Sequence, residues 1–318
     1  MIEIINPGWQ SLIVDGGRYG NAAVGVPPSS ALDRYACRAL HLLTGHEEDT
    51  PALEVMGTPF SIKIHHDITC AITGAKVSAT LDGRPVRPWT SFRAAANSLL
   101  EVQAVTEGFR YYIGFSGTIA MESVMGSFST NLECRFGGYR GRAFMAGDRL
   151  ELREIRNIGR SAIPENEIPV MHPPHKLRIV EGPELSYFTD ESVKKLFDIT
   201  ARSVYDVSAE TNRTGIRLEG DPLIFREEME RSIISEGILP GTVQIPGNGL
   251  PIIMLHERTI GGYARVALVV KADHDRLAHL KPQDYVLFEL VSLKEAETLW
   301  ETKWKSITSL NSKIRRLS

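Results

Sequence analysis

Phe60-Ser-Ile-Lys-Ile-His65 and Ile68-Thr-Cys-Ala-Ile72, followed by the turn dipeptide Asp82-Gly83, set the pattern of this chain. Both runs are short, apolar and rich in β-branched residues, which suits a pleated, half-buried surface better than a helix. The signature returns at Pro251-Ile-Ile-Met-Leu255 and Arg265-Val-Ala-Leu-Val-Val270, with Asn248-Gly249 as another turn. Glycine (27) and proline (17) are spread through the chain and punctuate these runs. The spacing predicts a mainly β protein, a barrel or sandwich, with few helices.

Three segments carry a helical period. Residues 31–44 place Leu32, Tyr35, Ala36, Ala39, Leu40 and Leu43 on one face, with Ser29 or Ser30 as cap and Gly45 as stop. Residues 191–197 form a short second helix. A third begins near Ser292, where Ser292 and Glu295 can make a capping box, and runs through Trp300.

The 318 residues suffice for about two domains. Residues 155–175 hold Pro164, Pro169, Pro173 and Pro174 without a clean period, and read as a linker. The division expected is 1–160 and 161–318. Ala146-Gly-Asp-Arg-Leu-Glu-Leu152 and Lys281-Pro-Gln-Asp-Tyr-Val-Leu-Phe-Glu-Leu290 echo each other, each an Asp-bearing turn before an alternating strand.

Charge excludes some partners. With 36 basic against 39 acidic residues the net charge is −3, and no basic tract suggests nucleic acid. Lys313, Arg315 and Arg316 read as a short solvated tail. The opening Met1-Ile-Glu-Ile-Ile-Asn-Pro lacks a basic n-region, so no signal peptide is expected. No apolar stretch nears the ~20 residues of a membrane helix. Cys37, Cys70 and Cys134 are odd in number and far apart, as in reduced, cytosolic proteins. A cytoplasmic location follows as an expectation.

Familiar self-contained machinery is missing. The chain has no phosphate loop, no dinucleotide fingerprint, no His-Glu-x-x-His, no paired Cys-x-x-Cys and no nucleophile elbow. No metal is expected: His172 and His175 flank two prolines and cannot share a helix face. His65 and His66 would point to opposite faces of a strand. His274, between Asp273 and Asp275, is either an acid/base group oriented by a carboxylate or part of a solvated turn.

Four segments concentrate costly residues: Val14-Asp-Gly-Gly-Arg-Tyr-Gly20 with 25–33, residues 126–142, Thr211-Asn-Arg-Thr-Gly-Ile-Arg-Leu218, and Gly241-Thr-Val-Gln-Ile-Pro246 with Arg258-Thr-Ile-Gly-Gly-Tyr263. These segments carry a resemblance. In order along residues 6 to 296, Gly25-Val-Pro-x-Ser, Ala52-Leu-Glu, Thr73-Gly-Ala, Gly126-Ser-x-Ser-Thr, Phe136-Gly-Gly-x-x-Gly-Arg, Asn212-Arg-x-Gly-x-Arg-Leu, Val243-Gln-Ile-Pro and Gly261-Gly-Tyr are similar to one family. That family is allophanate hydrolase subunit 2, which includes the 5-oxoprolinase C-type subunits and shares the carboxyltransferase module of biotin-dependent urea carboxylase.

The resemblance implies two cyclophilin-like β-barrel domains. It implies one part of a heteromeric enzyme that works with a subunit-1 or subunit-B-like protein and a subunit-A-like protein. The implied activity is ATP-dependent opening of 5-oxoproline to glutamate, with ATP used by the complex. The alternative is carboxyl transfer from a biotin carrier to urea or a related amide or guanidine. A diverged regulatory or binding subunit is a third reading.

Holding a small planar amide calls for fixed donors on its carbonyl oxygen. Asn212 offers an amide donor and acceptor, and Arg213 charge-assisted donors, so these two are the expected catalytic residues. Arg217, Gln244, Gly261, Gly262, Tyr263, Asp15 and Arg18 are the expected substrate-binding residues. Each has a structural alternative: Gly261-Gly262 as a plain turn, Arg217 paired with Glu219 or a core carboxylate, and Asp15, Arg18 and Asp33 as loop scaffolding. The chain departs from the resemblance at Phe128, Asn131, His256 and Arg258, where relatives carry other polar residues. Asn212-Arg-Thr-Gly215 looks more like the urea carboxylase version.

Overall fold

A computed structural model describes residues 1–46, 50–198 and 204–317. It is mainly β and divides into two compact units. The first comprises Met1–Arg18, Ser29–Met171 and Ser306–Ser318; the second comprises Tyr19–Pro28 and His172–Lys305. Neither unit is continuous in sequence, and the chain passes from the long segment of the first to that of the second at Met171–His172, within the proline-rich 155–175 segment.

The first unit is a nine-stranded half-barrel. Its spine is a pair of long antiparallel strands, Ile68–Leu81 and Ser98–Phe115, in register from Cys70 opposite Phe115 to Leu81 opposite Leu100. The latter strand pairs along its first half with Phe60–Ile64 and along its second with Ala52–Met56. The short run expected at 68–72 is thus the start of a 14-residue strand. Gly74 reads as a break in the sequence, yet it marks a bulge where the register shifts, and a Cβ there would stand 2.7 Å from the Arg110 carbonyl. Ile62, Ile72, Leu100, Val102 and Ile113 fill the core.

Helix α1, Arg34–Leu43, lies on this sheet and buries Tyr35, Ala36, Ala39, Leu40 and Leu43. Its cap is Asp33, not Ser29 or Ser30. The Asp33 carboxylate accepts from the Ala36 N–H at 2.8 Å, a stronger cap than a hydroxyl because the acceptor is charged. Gly114 lets the helix approach: a Cβ there would meet Leu40 at 2.9 Å. The proline-rich 155–175 segment is not a loose linker. Ile163 and Met171 are buried, and the Tyr35 hydroxyl donates to the Glu167 carbonyl. The basic tail is likewise tied down, with Lys313 on Glu167 at 3.0 Å and Arg315–Arg316 paired to Ser161–Ala162.

The second unit contains a closed barrel of seven strands among the described residues. Its order is His175–Glu181, Ala264–Val269, Thr242–Ile245, Ile252–Met254, Gly215–Glu219, Tyr205–Val207 and Tyr285–Leu290, which pairs in parallel with the first. Alternate residues point inward, so Leu177, Ile179, Ile216, Leu218, Val243, Val266 and Phe288 form the core. Helix α2, Asp190–Leu196, is capped by Thr189. Helix α3, His274–Leu277, is a single turn. Helix α4, Leu293–Lys313, starts with the expected capping box: Ser292 and Glu295 exchange side-chain to backbone bonds at 2.8 and 3.2 Å. Its residues from Ser306 belong to the first unit. Among the described residues no helix is long and apolar enough to cross a membrane.

The two Asp-bearing turns are both built as expected. Asp148 is clamped by Arg142 at 2.7 and 2.8 Å, and Asp284 accepts from His175 at 3.1 Å and from Lys281 at 2.5 Å. Burial pushes the Asp284 carboxyl up, but the bonds from His175 and Lys281 outweigh it and hold it below its ordinary value. A depressed carboxylate stabilises the fold above its unfolded pKa of about 3.9, and this is lost as pH falls through the lower folded value. Asp284→Asn is therefore expected to weaken the protein at pH 7 and to flatten its loss of stability below about pH 4. Urea midpoints against pH measure this; parallel curves for the two proteins would contradict it.

Candidate functional site

The expected site residues fall into the two units, and each group is built by its own local logic. In the first unit, Asp15 ends the strand Gln10–Val14 and turns its carboxylate onto the segment 127–129. Its Oδ1 accepts from Ser127 and Ser129 hydroxyls, both at 2.6 Å, and from the Gly17 N–H at 2.9 Å. Its Oδ2 accepts from the Phe128 N–H at 2.5 Å. Arg18, 1% exposed, donates to the Ser129 and Val124 carbonyls and stacks 4.7 Å over the Phe136 ring. Gly137 and Gly138 complete the fit, since a Cβ on Gly138 would lie 1.9 Å from the Thr130 hydroxyl. Asp15 and Arg18 thus share one task, pinning the 124–130 segment.

Asn131 uses both ends of its amide in this loop. Its Nδ2 donates to the Ser29 hydroxyl at 2.9 Å, and its Oδ1 accepts from the Cys134 N–H at 2.7 Å. Phe128 presents its N–H to Asp15 while its ring packs on the core. Cys37 and Cys70 are buried and Cys134 is exposed, all as free thiols. Burial pushes the Cys70 thiol well above its ordinary value, which makes it inert.

In the second unit, Asn212 and Arg213 occupy a tight turn leading into the strand Gly215–Glu219. The Asn212 Oδ1 accepts from the Thr214 and Gly215 N–H groups at 2.8 and 3.2 Å, an Asx turn, and the residue is exposed. The Arg213 Nε donates to Glu257 at 3.2 Å, and both side chains are buried. The bond Leu255 N–H to Thr214 carbonyl, 2.9 Å, sets the two turns side by side. His256 is buried here, its ring 6.5 Å from that of His274. Of the carboxylates flanking His274, Asp273 bonds Arg178 and Asp275 pairs with Lys303, while the His274 Nε2 lies 3.2 Å from the Val269 carbonyl. His65 and His66 lie just beyond their strand, His65 on Glu3 and His66 exposed.

Gln244 sits toward the other end of the strand Thr242–Ile245, about 10 Å along from Gly241 and the His274 ring. It is 2% exposed and donates from Nε2 to the Tyr263 carbonyl at 3.4 Å. Gly261 presses its backbone on this amide: a Cβ there would stand 2.3 Å from Nε2. Gly261 is part of a two-stranded ribbon, Glu236–Gly237 with Ile260–Gly261, so Gly261-Gly262 is more than a plain turn. The Gly262 carbonyl accepts from the Ile233 N–H at 2.9 Å, and Tyr263 is 44% exposed. Gly261→Ala is expected to eject the Gln244 amide while leaving the barrel folded. Unchanged melting with a shifted Gln244 side-chain amide NMR signal is the expected pair of results, and an unshifted signal would contradict it.

Arg217 is on the outer face of the barrel, half exposed, 3.8 Å from Glu210. Its neighbours Ile216 and Leu218 point inward, so it does not join Gln244, Gly261 and Tyr263. Arg258 is exposed. A surface depression of about 660 Å³ is lined by Arg178, Glu289 and the start of α4, and none of the expected site residues lines it.

Part of what holds each of these clusters was not legible in the sequence. Glu257 is a partner reached only through the fold, 44 residues from Arg213, and the bond by which Ser127 of the Gly126-Ser-x-Ser-Thr motif holds Asp15 spans 112 residues. The pairing of Arg265 with Glu184 and Glu236 was also missed. The one available signal was an arginine at the head of an apolar strand, a position that demands an ion partner.

Fold and site define a mainly β chain with a half-barrel and a closed barrel, each bearing a glycine-rich polar cluster. The carboxyltransferase domain, subdomain A and B, matches residues 24–290, and this chain belongs to that family. It is 34% identical over 299 residues to the C-type subunit of 5-oxoprolinase from Escherichia coli (strain K12), covering 93% of each chain. It is 31% identical over 339 residues to urea amidolyase of Saccharomyces cerevisiae, covering 99% of this chain but 18% of that one. The crystal structure of Kluyveromyces lactis urea carboxylase matches 100% of this chain and 30% of its own length, at a TM-score of 0.90 and 26% identity. The relatives are enzymes or enzyme subunits. The chain spans nearly all of the first and less than a third of the other two.

Proposed function

We propose that this chain is the C-type subunit of a 5-oxoprolinase-like enzyme. With subunit-A- and subunit-B-like partners it opens 5-oxoproline to glutamate at the expense of ATP, which is used by the complex. The observation that carries this reading is the mutual coverage of 93% with a 5-oxoprolinase C-type subunit.

The second unit supplies chemistry of the right kind. The Gln244 amide, held by the Tyr263 carbonyl and covered by the Gly261 backbone, and the half-exposed Tyr263 beside it are the groups proposed to meet a planar amide. On a separate turn, Asn212 presents an exposed amide whose oxygen is engaged by the Thr214 and Gly215 N–H groups, so its Nδ2 is the group it offers a carbonyl. Arg213, committed to Glu257, shapes that turn. Asp15 and Arg18 hold the loop 124–130 in the first unit.

A complex of this chain with its two partners is expected to release glutamate from 5-oxoproline only when ATP is present. Gln244→Ala should cut kcat/KM by ten- to a hundredfold, the cost of one or two lost hydrogen bonds in a dry site. Carboxyl transfer to urea or a guanidine compound is the second reading, favoured by Asn212-Arg-Thr-Gly215 and the TM-score of 0.90 with urea carboxylase. Urea-dependent discharge of a carboxybiotin carrier by this chain would favour it over the first.

A further inference from the structure

Gln244, Gly261, Glu236 and Arg265 form a closed ring. Gln244 and Arg265 face each other across the ladder between Thr242–Ile245 and Ala264–Val269. Arg265 reaches from the barrel to Glu236 on the ribbon, Nη2 to Oε2 at 2.8 Å. Glu236 is in register with Gly261. Gly261 closes the ring by resting on the Gln244 amide.

The two arms of Arg265 differ in strength. Toward the barrel it makes a fork on Glu184, Nε to Oε2 at 2.8 Å and Nη2 to Oε1 at 2.6 Å, and its own N–H donates to the same carboxylate at 2.9 Å. Gly182 allows this approach, since a Cβ there would lie 2.1 Å from the Arg265 carbonyl. The fork holds the Glu184 carboxyl below its ordinary value despite burial, which pushes it up. Toward the ribbon there is one bond, to a carboxylate whose side chain is 58% exposed. An exposed pair of this kind is readily screened by salt. The ribbon is only two residues per strand, and its remaining ties to the 259–262 stretch are the bonds Ile233 to Gly262 and Ile238 to Thr259.

We propose that Glu236 and Arg265 are positioning residues: their ion pair is a salt-sensitive latch that seats the ribbon's Gly261 on Gln244 and so completes the amide site. Glu184 anchors the latch, and Glu236 is its releasable end. The proposal rests on the substrate role assigned above to Gln244 and Gly261.

Glu236→Gln separates the two levels. In the isolated chain, hydrogen exchange at 236–237 and 260–261 is expected to rise at least threefold, with the amides of 243–245 and the melting temperature unchanged. In the assembled enzyme, KM for the amide substrate is expected to rise three- to tenfold with kcat within twofold. Raising salt from 50 to 500 mM should raise the wild-type KM similarly and leave that of the variant flat, whereas Glu236→Asp should recover part of the effect. Unchanged ribbon exchange overturns the latch. Faster exchange with unchanged KM, or equal salt dependence in both proteins, overturns its positioning role. Absence of turnover by wild-type enzyme refutes the assigned reaction instead, and the exchange measurement then decides the latch alone.

Discussion

Arg213→Met is expected to lower folding stability by about 3–5 kcal/mol, the usual cost of removing one member of a buried ion pair. Arg213 and Glu257 are each at least 96% buried, and the Nε to Oε1 bond is 3.2 Å. Without the guanidinium, the Glu257 carboxylate stays in a dry turn with part of its solvation lost and this ion pair removed. Replacing both residues, Arg213→Met with Glu257→Leu, should return most of the loss, because well-packed apolar groups often match a buried pair. Urea denaturation of the four proteins of this double-mutant cycle measures the coupling. A loss below about 1 kcal/mol for the single variant would contradict the buried pair, since exposed pairs are worth only that much. Arg213→Lys keeps the charge but not the planar fork, and should fall between the two.

Asp15→Ala should cost about 3–6 kcal/mol. The carboxylate receives two hydroxyls and two backbone N–H groups, from Ser127, Ser129, Phe128 and Gly17. Each buried donor left unsatisfied costs about 1–3 kcal/mol, partly relieved where the loop can rotate or admit water. Arg18 would lose its fixed platform as well, because it binds the Ser129 carbonyl of the same segment. Asp15→Asn is informative beside it. An amide matches the carboxylate in shape but turns donors toward donors, so it should recover little. The denaturation midpoint decides the matter, and a shift equivalent to under 1 kcal/mol would mean that water or other groups already satisfy these donors.

Much of the fold was legible because it rests on local signals. β-branched runs, turn glycines and the Ser292–Glu295 box all act over a few residues, and the structure places a strand or cap at each. What was illegible is non-local. Ile68–Leu81 continues through Gly74 only because a neighbouring strand accepts the bulge. The proline-rich 155–175 segment is ordered in part by Ile163, which packs in a core with Leu40, Trp89 and Leu310 far off in sequence. The cap of α1 passed from Ser30 to Asp33 because Asp33 is also held by the Tyr112 hydroxyl, 2.9 Å from its N–H.

The site divides in the same way. Motif glycines and Gln244 were visible as residues without a cheaper explanation, and the structure gathers Gln244, Gly261 and Tyr263 into one group. Arg217 carried the same motif signal yet points outward, since strand alternation assigns it to the face opposite Ile216 and Leu218. Glu257 and Glu184 gave no signal, and the pairing of Glu236 with Arg265 none either, because an ion pair across 44, 81 or 29 residues has no spacing rule.

The central claim is that this chain completes an enzyme that opens 5-oxoproline. The most direct measurement is glutamate release from 5-oxoproline by the purified partner subunits, with ATP, in the presence and absence of this chain. The predicted result is turnover that requires both the chain and ATP. A stable complex containing the chain that forms no glutamate would contradict it.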